Sequence, residues 1–423
     1  MQTATEMRQS KTERLGSARP VEVTLLTGCK DPHYAFGLAT ALSAVGVITN
    51  IVGSASEDNH EFHCNPNLNF RNLRKNRQAE RSFRAKVAGW FRYYWALIHY
   101  TAFTRGQLIH ILWNNKFEMF DRTILMFAYK LLGKTVVRTA HNVNQARRDG
   151  NDSILNRMTL RIQYQLSDHI FVHTQQMKRE LCADFRVKPA AVTVVPYGIN
   201  NAIRITGLTC SEAKQRIGVK DTEKTILFFG GIKPYKGLSY LVDAFQQLSE
   251  KDRNYRLIIA GEEKREAEQY MREIRRKIKN LPNPACVIQK IQYIRDEDTE
   301  VYFKAADVVA LPYREIFQSG ILFLAYSFGL PAVASDVGSF RDDIIEGTTG
   351  FLCKPDDASA LANTLKRYFD SNLFKDLNVC RKQIEAFANA RHSWHVVGEM
   401  TRDIYADLSR GGRQPHEVAV AIE

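Results

Sequence analysis

Phe229-Gly230-Gly231-Ile232-Lys233-Pro234-Tyr235-Lys236-Gly237 closes an apolar run that begins at Thr225 and opens an amphipathic stretch that begins at Leu238. The run predicts a buried strand over residues 225–229, and the three-to-four spacing after Gly237 predicts a helix over 238–249. Two glycines let a backbone come close to a bulky ligand. The helix start presents unpaired N–H groups and the positive end of the helix dipole. Lys233 and Lys236 add two cations at the same place, a combination suited to a diphosphate. Alone, such a turn is more often a plain surface connection with solvated lysines. The Walker spacing is missing, and no G-x-G-x-x-G follows the first strand, which argues against a dehydrogenase.

A second loop changes the balance. Leu311-Pro312-Tyr313 ends another apolar run, and Gln318-Ser319-Gly320 precedes an apolar helix predicted over 321–328. Ser319 can cap that helix, and Gly320 leaves an N–H open to a ligand. Working outward, strands are expected at 255–260, 287–289, 308–311 and 332–334. Toward the N-terminus the same alternation appears, with strands at 21–26, 47–52, 108–112, 135–139, 169–173 and 192–196 and a first helix at 35–45. Two successive open α/β domains result, and a chain of 423 residues exceeds what one core usually organises. Ligands of open parallel sheets sit at the carboxyl ends of the strands, so the cleft between the domains is the expected site.

Composition narrows the class. Apolar residues make up 44%, as in a globular chain, and no uninterrupted apolar run of transmembrane length occurs. Residues 1–19 are polar, lack the apolar core of a secretory signal and are expected to form a disordered tail, as are residues 411–423. Seven scattered cysteines without a CxxC pair argue against a disulfide framework or zinc site and fit the reducing cytoplasm. The net charge of +13 suits nucleic acid, anionic membrane or phosphate-rich ligands, but no zinc-finger or RNA-recognition signature supports nucleic acid.

Several strings in fixed order resemble a known family: FFGGIKPYKGLSYLVDAF, LIIAGE, YIRDED, YFKAADVVALPY, QSGILFLAYSFGLPAVASDVGS and EGTTGFL. Over residues 130–410 the chain resembles the retaining glycosyltransferases of family 4, whose GT-B fold places two Rossmann-like domains face to face. The resemblance implies an acceptor-binding domain over 20–195, a donor-binding domain over 196–393, and a final helix over 394–410 that crosses back to the first domain and couples cleft closure. It also implies site residues. Lys236 and Lys233 would bind the donor diphosphate, with Gly231, Gln318, Ser319 and Gly320 supplying backbone at the phosphates. The backbone at Tyr293 and Ile294 would face the nucleobase, Glu262 would lead toward that pocket, and Gly37, placed before the first helix, would approach the phosphate from the opposite domain. His141 matches the family's cleft histidine beside the transferred sugar; His110 is a weaker candidate.

The chain departs from the family in two places. The family commonly carries two glutamates eight residues apart. Glu315 sits near the first position, offset by one, while Phe323 and Leu324 stand where the second, ribose-binding glutamate belongs. After His141-Asn142-Val143 the chain reads Asn144-Gln145, where many relatives have Pro-His-Glu. The resemblance implies transfer of a hexose from a GDP- or UDP-sugar to a glycan or lipid-linked acceptor in polysaccharide or glycolipid synthesis. Retention would come from same-face attack. Lysines and helix N-termini can hold the leaving diphosphate without a metal. Asp342-Asp343, the nearest acidic pair, is expected to open a helix and be exposed. The competing readings are an inactive relative that binds a nucleotide or glycan as a scaffold, supported by the missing glutamate, and a phosphate-binding epimerase, disfavoured by the LPY to SDVGS strings.

Residues 74–105 interleave Lys75, Arg77, Arg81, Arg84, Lys86 and Arg92 with Phe83, Val87, Trp90, Phe91, Tyr94, Trp95 and Ile98. Aromatic residues at helical spacing beside basic ones fit a helix lying on an anionic membrane, and equally a core helix with a solvated basic face. The first alternative would put the enzyme on the cytoplasmic face of the membrane.

Overall fold

The computed structural model describes residues 20–74, 83–199, 203, 205–263 and 267–410. Both expected tails therefore lie outside the described residues, as do Lys75, Arg77 and Arg81 of the basic stretch. The first domain carries β1 (Glu22–Leu26), β2 (Ile48–Gly53), β3 (Leu68–Asn72), β4 (Leu108–Ile111), β5 (Thr135–Thr139), β6 (His169–Val172) and β7 (Val192–Val194). They pair in the order β3-β2-β1-β4-β5-β6-β7. The second carries β8 (Lys224–Phe229), β9 (Tyr255–Ala260), β10 (Val287–Lys290), β11 (Val308–Leu311), β12 (Ala332–Ser335) and β13 (Gly350–Cys353), ordered β10-β9-β8-β11-β12-β13. Every ladder is parallel. Helices cover both faces of such sheets, which is why β4, β6, β11 and β12 are buried from end to end.

Each sheet reverses direction at its first strand: β1 lies between β2 and β4, and β8 between β9 and β11. These are the switch points at which an open sheet leaves a crevice. The edge strands β3 and β13 were not foreseen. β3 interleaves Leu68 and Phe70 with polar Asn69, Arg71 and Asn72 and buries only Leu68, so it lacks the continuous apolar run of a central strand.

The first helix, α1 (Pro32–Ala44), starts three residues earlier than expected: Asp31 caps it by accepting from the Tyr34 N–H at 3.0 Å, and Pro32 occupies its first position. Between the domains, where no element was expected before residue 222, a short helix spans Cys210–Arg216 behind a Thr209/Glu212 capping box. In α2 (Phe83–Phe103) the aromatic positions divide. Tyr93, Tyr94 and Leu97 are buried against β4 and the segment 117–126, while Phe91, Trp95 and Phe103 are exposed. A single aromatic face was expected; the helix carries two.

The last described helix, α6 (Trp394–Ser409), packs along α1. Val397 and Tyr405 belong to the first domain's core beside Val23 and Leu38. A Cβ built on Gly398 would come within 2.9 Å of the Ala41 carbonyl oxygen, so glycine permits this close helix contact. The chain thus crosses back to the domain in which it began.

Candidate functional site

A cavity of about 460 Å³ opens between the two domains. Asp31, His33 and Tyr34 line it from the start of α1, and Gly230, Gly231, Glu262, Tyr293, Ile294, Gly320 and Leu324 from the second domain. Of the residues expected to meet the donor, Gly231, Glu262, Tyr293, Ile294 and Gly320 are therefore on its wall.

At the end of β8, Gly230 has φ +94°, and a Cβ built there would lie 3.2 Å from Lys236 Nζ. The ammonium group thus sits directly behind the glycine that faces the cavity. A single 3₁₀ turn over Pro234–Lys236 carries the lysine, and Gly237, at φ +70°, leads into α4 (Leu238–Ser249), counting α3 as Ile154–Leu166. Gly237 is obligatory twice over: its φ is left-handed, and a Cβ would stand 1.9 Å from the Pro312 carbonyl oxygen. The Arg314 N–H also donates to the Tyr235 carbonyl at 2.8 Å. The lysine loop and the loop after β11 are thereby locked together. Burial first, then the charges of Lys233 and Arg148, bring the half-buried Lys236 ammonium down to about 8. Neither Lys233 nor Lys236 forms an ion pair among the described residues.

After β11, Ser319 caps α5 (Gly320–Ser327), its hydroxyl accepting from the Leu322 N–H at 3.4 Å. Gln318 donates through Nε2 to Asp343 Oδ2 at 3.0 Å, and its Oε1 is buried without a partner. Asp343, expected on the surface, is buried; desolvation pushes its carboxyl up to about 6. Its neighbour Asp342 is exposed as expected. Ser319 faces inward, so the loop offers Gly320 to the cavity.

His141 follows β5 and lies in an aromatic box. Its ring stacks on Trp113 at 4.0 Å between centroids and meets Tyr34 edge-on at 4.6 Å. Nδ1 is 3.2 Å from His173 Nε2, and Nε2 is buried without a partner. Burial, and next the neighbouring His173, hold the imidazole well below its usual range, so it is neutral. His110 is different. Its two nitrogens bond the Tyr405 hydroxyl at 2.5 Å and the Thr139 hydroxyl at 2.8 Å, and burial brings it to about 3. It ties β4 to α6 and has no route to a ligand.

Two positions need correcting. Gly37 lies in the second turn of α1, not before it, and the space a Cβ would fill is taken by the Trp394 indole, 2.2 Å away. It makes room for the crossing helix, and the α1 start presents Asp31, His33 and Tyr34 to the cavity instead. Glu315 is exposed on the turn after β11 and is absent from the cavity wall. Leu324 is on that wall, so the second-glutamate position presents an apolar side chain there. Phe323 is buried in the second domain's core and stacks on Tyr197 at 5.5 Å.

Some site residues carried no local signal. His33 reaches across the cleft to Asp296, with Nε2 at 3.4 Å from Oδ2. This pair raises the imidazole and lowers the carboxyl. Arg148 crosses the cleft elsewhere, its guanidinium carbon 4.5 Å from the Tyr235 ring centroid. Trp394 donates from Nε1 to the Ile199 carbonyl at 2.8 Å. Among the described residues no group of three or more His, Cys, Asp and Glu side chains is placed to hold a metal ion.

Family models match both domains: Glycosyltransferase Family 4 over residues 32–202 and Glycosyl transferases group 1 over 223–371. A D-inositol 3-phosphate glycosyltransferase of Corynebacterium efficiens is 27% identical over 293 residues, covering 65% of this chain and 66% of that protein. A phosphatidyl-myo-inositol mannosyltransferase of Mycobacterium leprae is 28% identical over 219 residues, covering 51% of this chain and 54% of that protein. The matched stretch is thus just under two thirds of the former and about half of the latter. Among solved structures, Anabaena Alr3699/HepE in complex with UDP and glucose superposes with a TM-score of 0.71 at 14% identity, over 92% of this chain and 100% of that one. Sucrose-phosphate synthase from Thermosynechococcus elongatus gives 0.71 at 18% identity, over 93% of this chain and 100% of that one.

Proposed function

The chain belongs to the family 4, group 1 glycosyltransferases of GT-B fold, and we propose that it transfers a hexose, with retention, from a GDP- or UDP-sugar to a glycan or lipid-linked acceptor. The observation that carries this reading is the like-charged pair Lys233 and Lys236, with no ion-pair partner among the described residues, in the loop whose Gly230 and Gly231 line the cavity together with Gly320. Two half-buried cations close together are unfavourable until an anion joins them. A nucleoside diphosphate supplies that anion, and the same groups stabilise the charge that grows as the sugar leaves.

In the proposed step the bond from the sugar's anomeric carbon to the diphosphate oxygen breaks. An acceptor oxygen forms the new bond on the same face, and its proton passes to the departing diphosphate. Lys236 and Gly320 hold that diphosphate; no metal is required in this scheme. The neutral His141, with its free Nε2, orients the sugar. Glu315 receives no bond-making role, because it stands exposed outside the cavity.

The acceptor side suits a membrane. Phe91, Trp95 and Phe103 of α2, Ile124, Phe127 and Leu131 of the next helical segment, and Ile154, Leu155 and Met158 at the start of α3 are all exposed. The three segments lie side by side: Tyr94 packs on Phe120, and Arg122 Nη1 bonds Asn156 Oδ1 at 2.7 Å. Arg84, Arg92 and Lys116 are exposed around them. An apolar, aromatic surface of this extent with a basic border fits the interface of an anionic bilayer, and two relatives are named for inositol-containing substrates.

Calorimetric titration with UDP and GDP, followed by an assay of nucleoside diphosphate release with lipid and glycan acceptors, tests the reading. Binding of one diphosphate and acceptor-dependent release are expected. Binding without release under any acceptor would favour the scaffold reading, for which Leu324 at the ribose-glutamate position is the supporting observation. Sedimentation with phosphatidylglycerol vesicles, reduced by the double change Phe91→Ser and Trp95→Ser, checks the membrane surface; equal sedimentation of both proteins would remove it.

A further inference from the structure

We propose that Arg148, from the acceptor domain, is a third cation of the donor-diphosphate site and closes onto the leaving group from across the cleft. The inference rests on the donor reading above.

Arg148 ends a short helical turn over Gln145–Arg148, seven residues beyond His141. Its side chain is only 7% exposed, although it belongs to a loop of the first domain. The guanidinium lies over Tyr235, the residue between the two lysine-bearing positions of the opposite loop, at 4.5 Å from the ring centroid. Nε donates to Asp149 Oδ1 at 2.9 Å, and Nη1 makes a long 3.4 Å contact with Asn142 Oδ1. The carboxylate therefore engages the inner nitrogen, and on the outer edge the one hydrogen bond among the described residues is the long contact from Nη1 to Asn142. That outer edge is the part of arginine that matches a phosphate in bidentate fashion. Its charge is felt at Lys236, where together with Lys233 it disfavours the protonated amine. The interaction with Tyr235 is a cation–π contact worth about 0.5–2 kcal/mol. It holds the arginine at the site and is readily exchanged for a stronger phosphate contact.

The contact to Asn142 gives this placement a mechanistic use. Asn142 adjoins His141, so one loop carries both the neutral histidine beside the sugar and a cation beside its leaving group. Closure of the acceptor domain then delivers both groups together.

Calorimetry on the full-length chain tests the proposal with UDP or GDP, whichever the wild-type protein binds, and with the matching nucleoside monophosphate. Arg148→Ala is expected to weaken the diphosphate roughly tenfold or more, the loss of one charge-assisted contact, while changing the monophosphate by much less. Arg148→Lys should recover part of the difference. A purely structural role would weaken both nucleotides alike, and that result, or unchanged diphosphate affinity, overturns the proposal. Failure of the wild-type chain to bind either diphosphate would instead overturn the donor reading and this inference with it.

Discussion

The two domains share a sheet plan yet equip their strand ends differently. In the second, glycine and lysine loops after β8 and β11 press backbone against the cavity, and Gly237 meets Pro312 so closely that no side chain fits. In the first, the start of α1 and the ends of β4 and β5 carry Tyr34, Trp113 and His141 in ring-to-ring contact. A diphosphate offers the same charge and shape whatever sugar it bears, so backbone N–H groups and lysines suffice for it. An acceptor varies, and side chains must meet it. The difference teaches that one side of the cleft is built from backbone conformation and the other from side-chain surface, the division that the proposed donor and acceptor sides would require.

This contrast can be broken by substitution. Lys236→Ala should lower kcat/KM for the donor by about 10²–10³-fold, with every acceptor affected alike; a normal value would end the diphosphate assignment. With the free enzyme's ammonium at about 8, kcat/KM should also fall as pH rises through that value, and Lys236→Arg should move the limb upward. An unshifted limb would assign it to another group. His141→Ala should reduce kcat by about 10²-fold, the cost of a misoriented sugar, and leave nucleoside diphosphate affinity unchanged in calorimetry. Loss of nucleotide affinity would place His141 on the donor side and erase the distinction.

Asp343 sharpens the comparison through stability. Its folded-state carboxyl, near 6 against an ordinary 3.8, binds its proton more tightly in the folded chain. The associated stability is present below about pH 4 and is lost as pH rises through about 6, a span worth about 3 kcal/mol. Asp343→Asn keeps an acceptor for Gln318 and should flatten this profile, most visibly as a higher melting temperature at pH 8. Equal profiles would show that the charge is solvated.

The smallest effect is expected at the cleft mouth. His33→Ala removes a partly exposed, screened pair with Asp296 and should cost under about 1 kcal/mol. The histidine's contribution is full below its ordinary 6.5 and is lost as pH rises through its raised folded value; the carboxylate's is lost only as pH falls through its lowered one. Donor KM should rise more at pH 6 than at pH 9, and the reverse order would exclude the pair from closure.

Legibility in the sequence follows the same division. The loops after β8 and β11 could be read because glycine, lysine and a capping serine declare backbone conformation locally. Central strands could be read because burial on both faces leaves a continuous apolar run. Asp343 could not, since its burial depends on Gln318 arriving from 25 residues away in sequence. His33, Arg148 and Trp394 acquire their roles only from the opposite domain or the returning helix. Gly37 misled for a related reason: its missing side chain accommodates Trp394, a partner more than 350 positions distant that no local pattern announces.

The returning helix also dictates when the protein can finish folding. Tyr405 completes the core around β4 and holds His110, and Trp394 fills the space above Gly37. These residues leave the ribosome after the entire second domain. The first domain, although translated earlier than the second, is therefore completed last, and a chimera that exchanges second domains must cut the chain twice and keep α6 with its original α1.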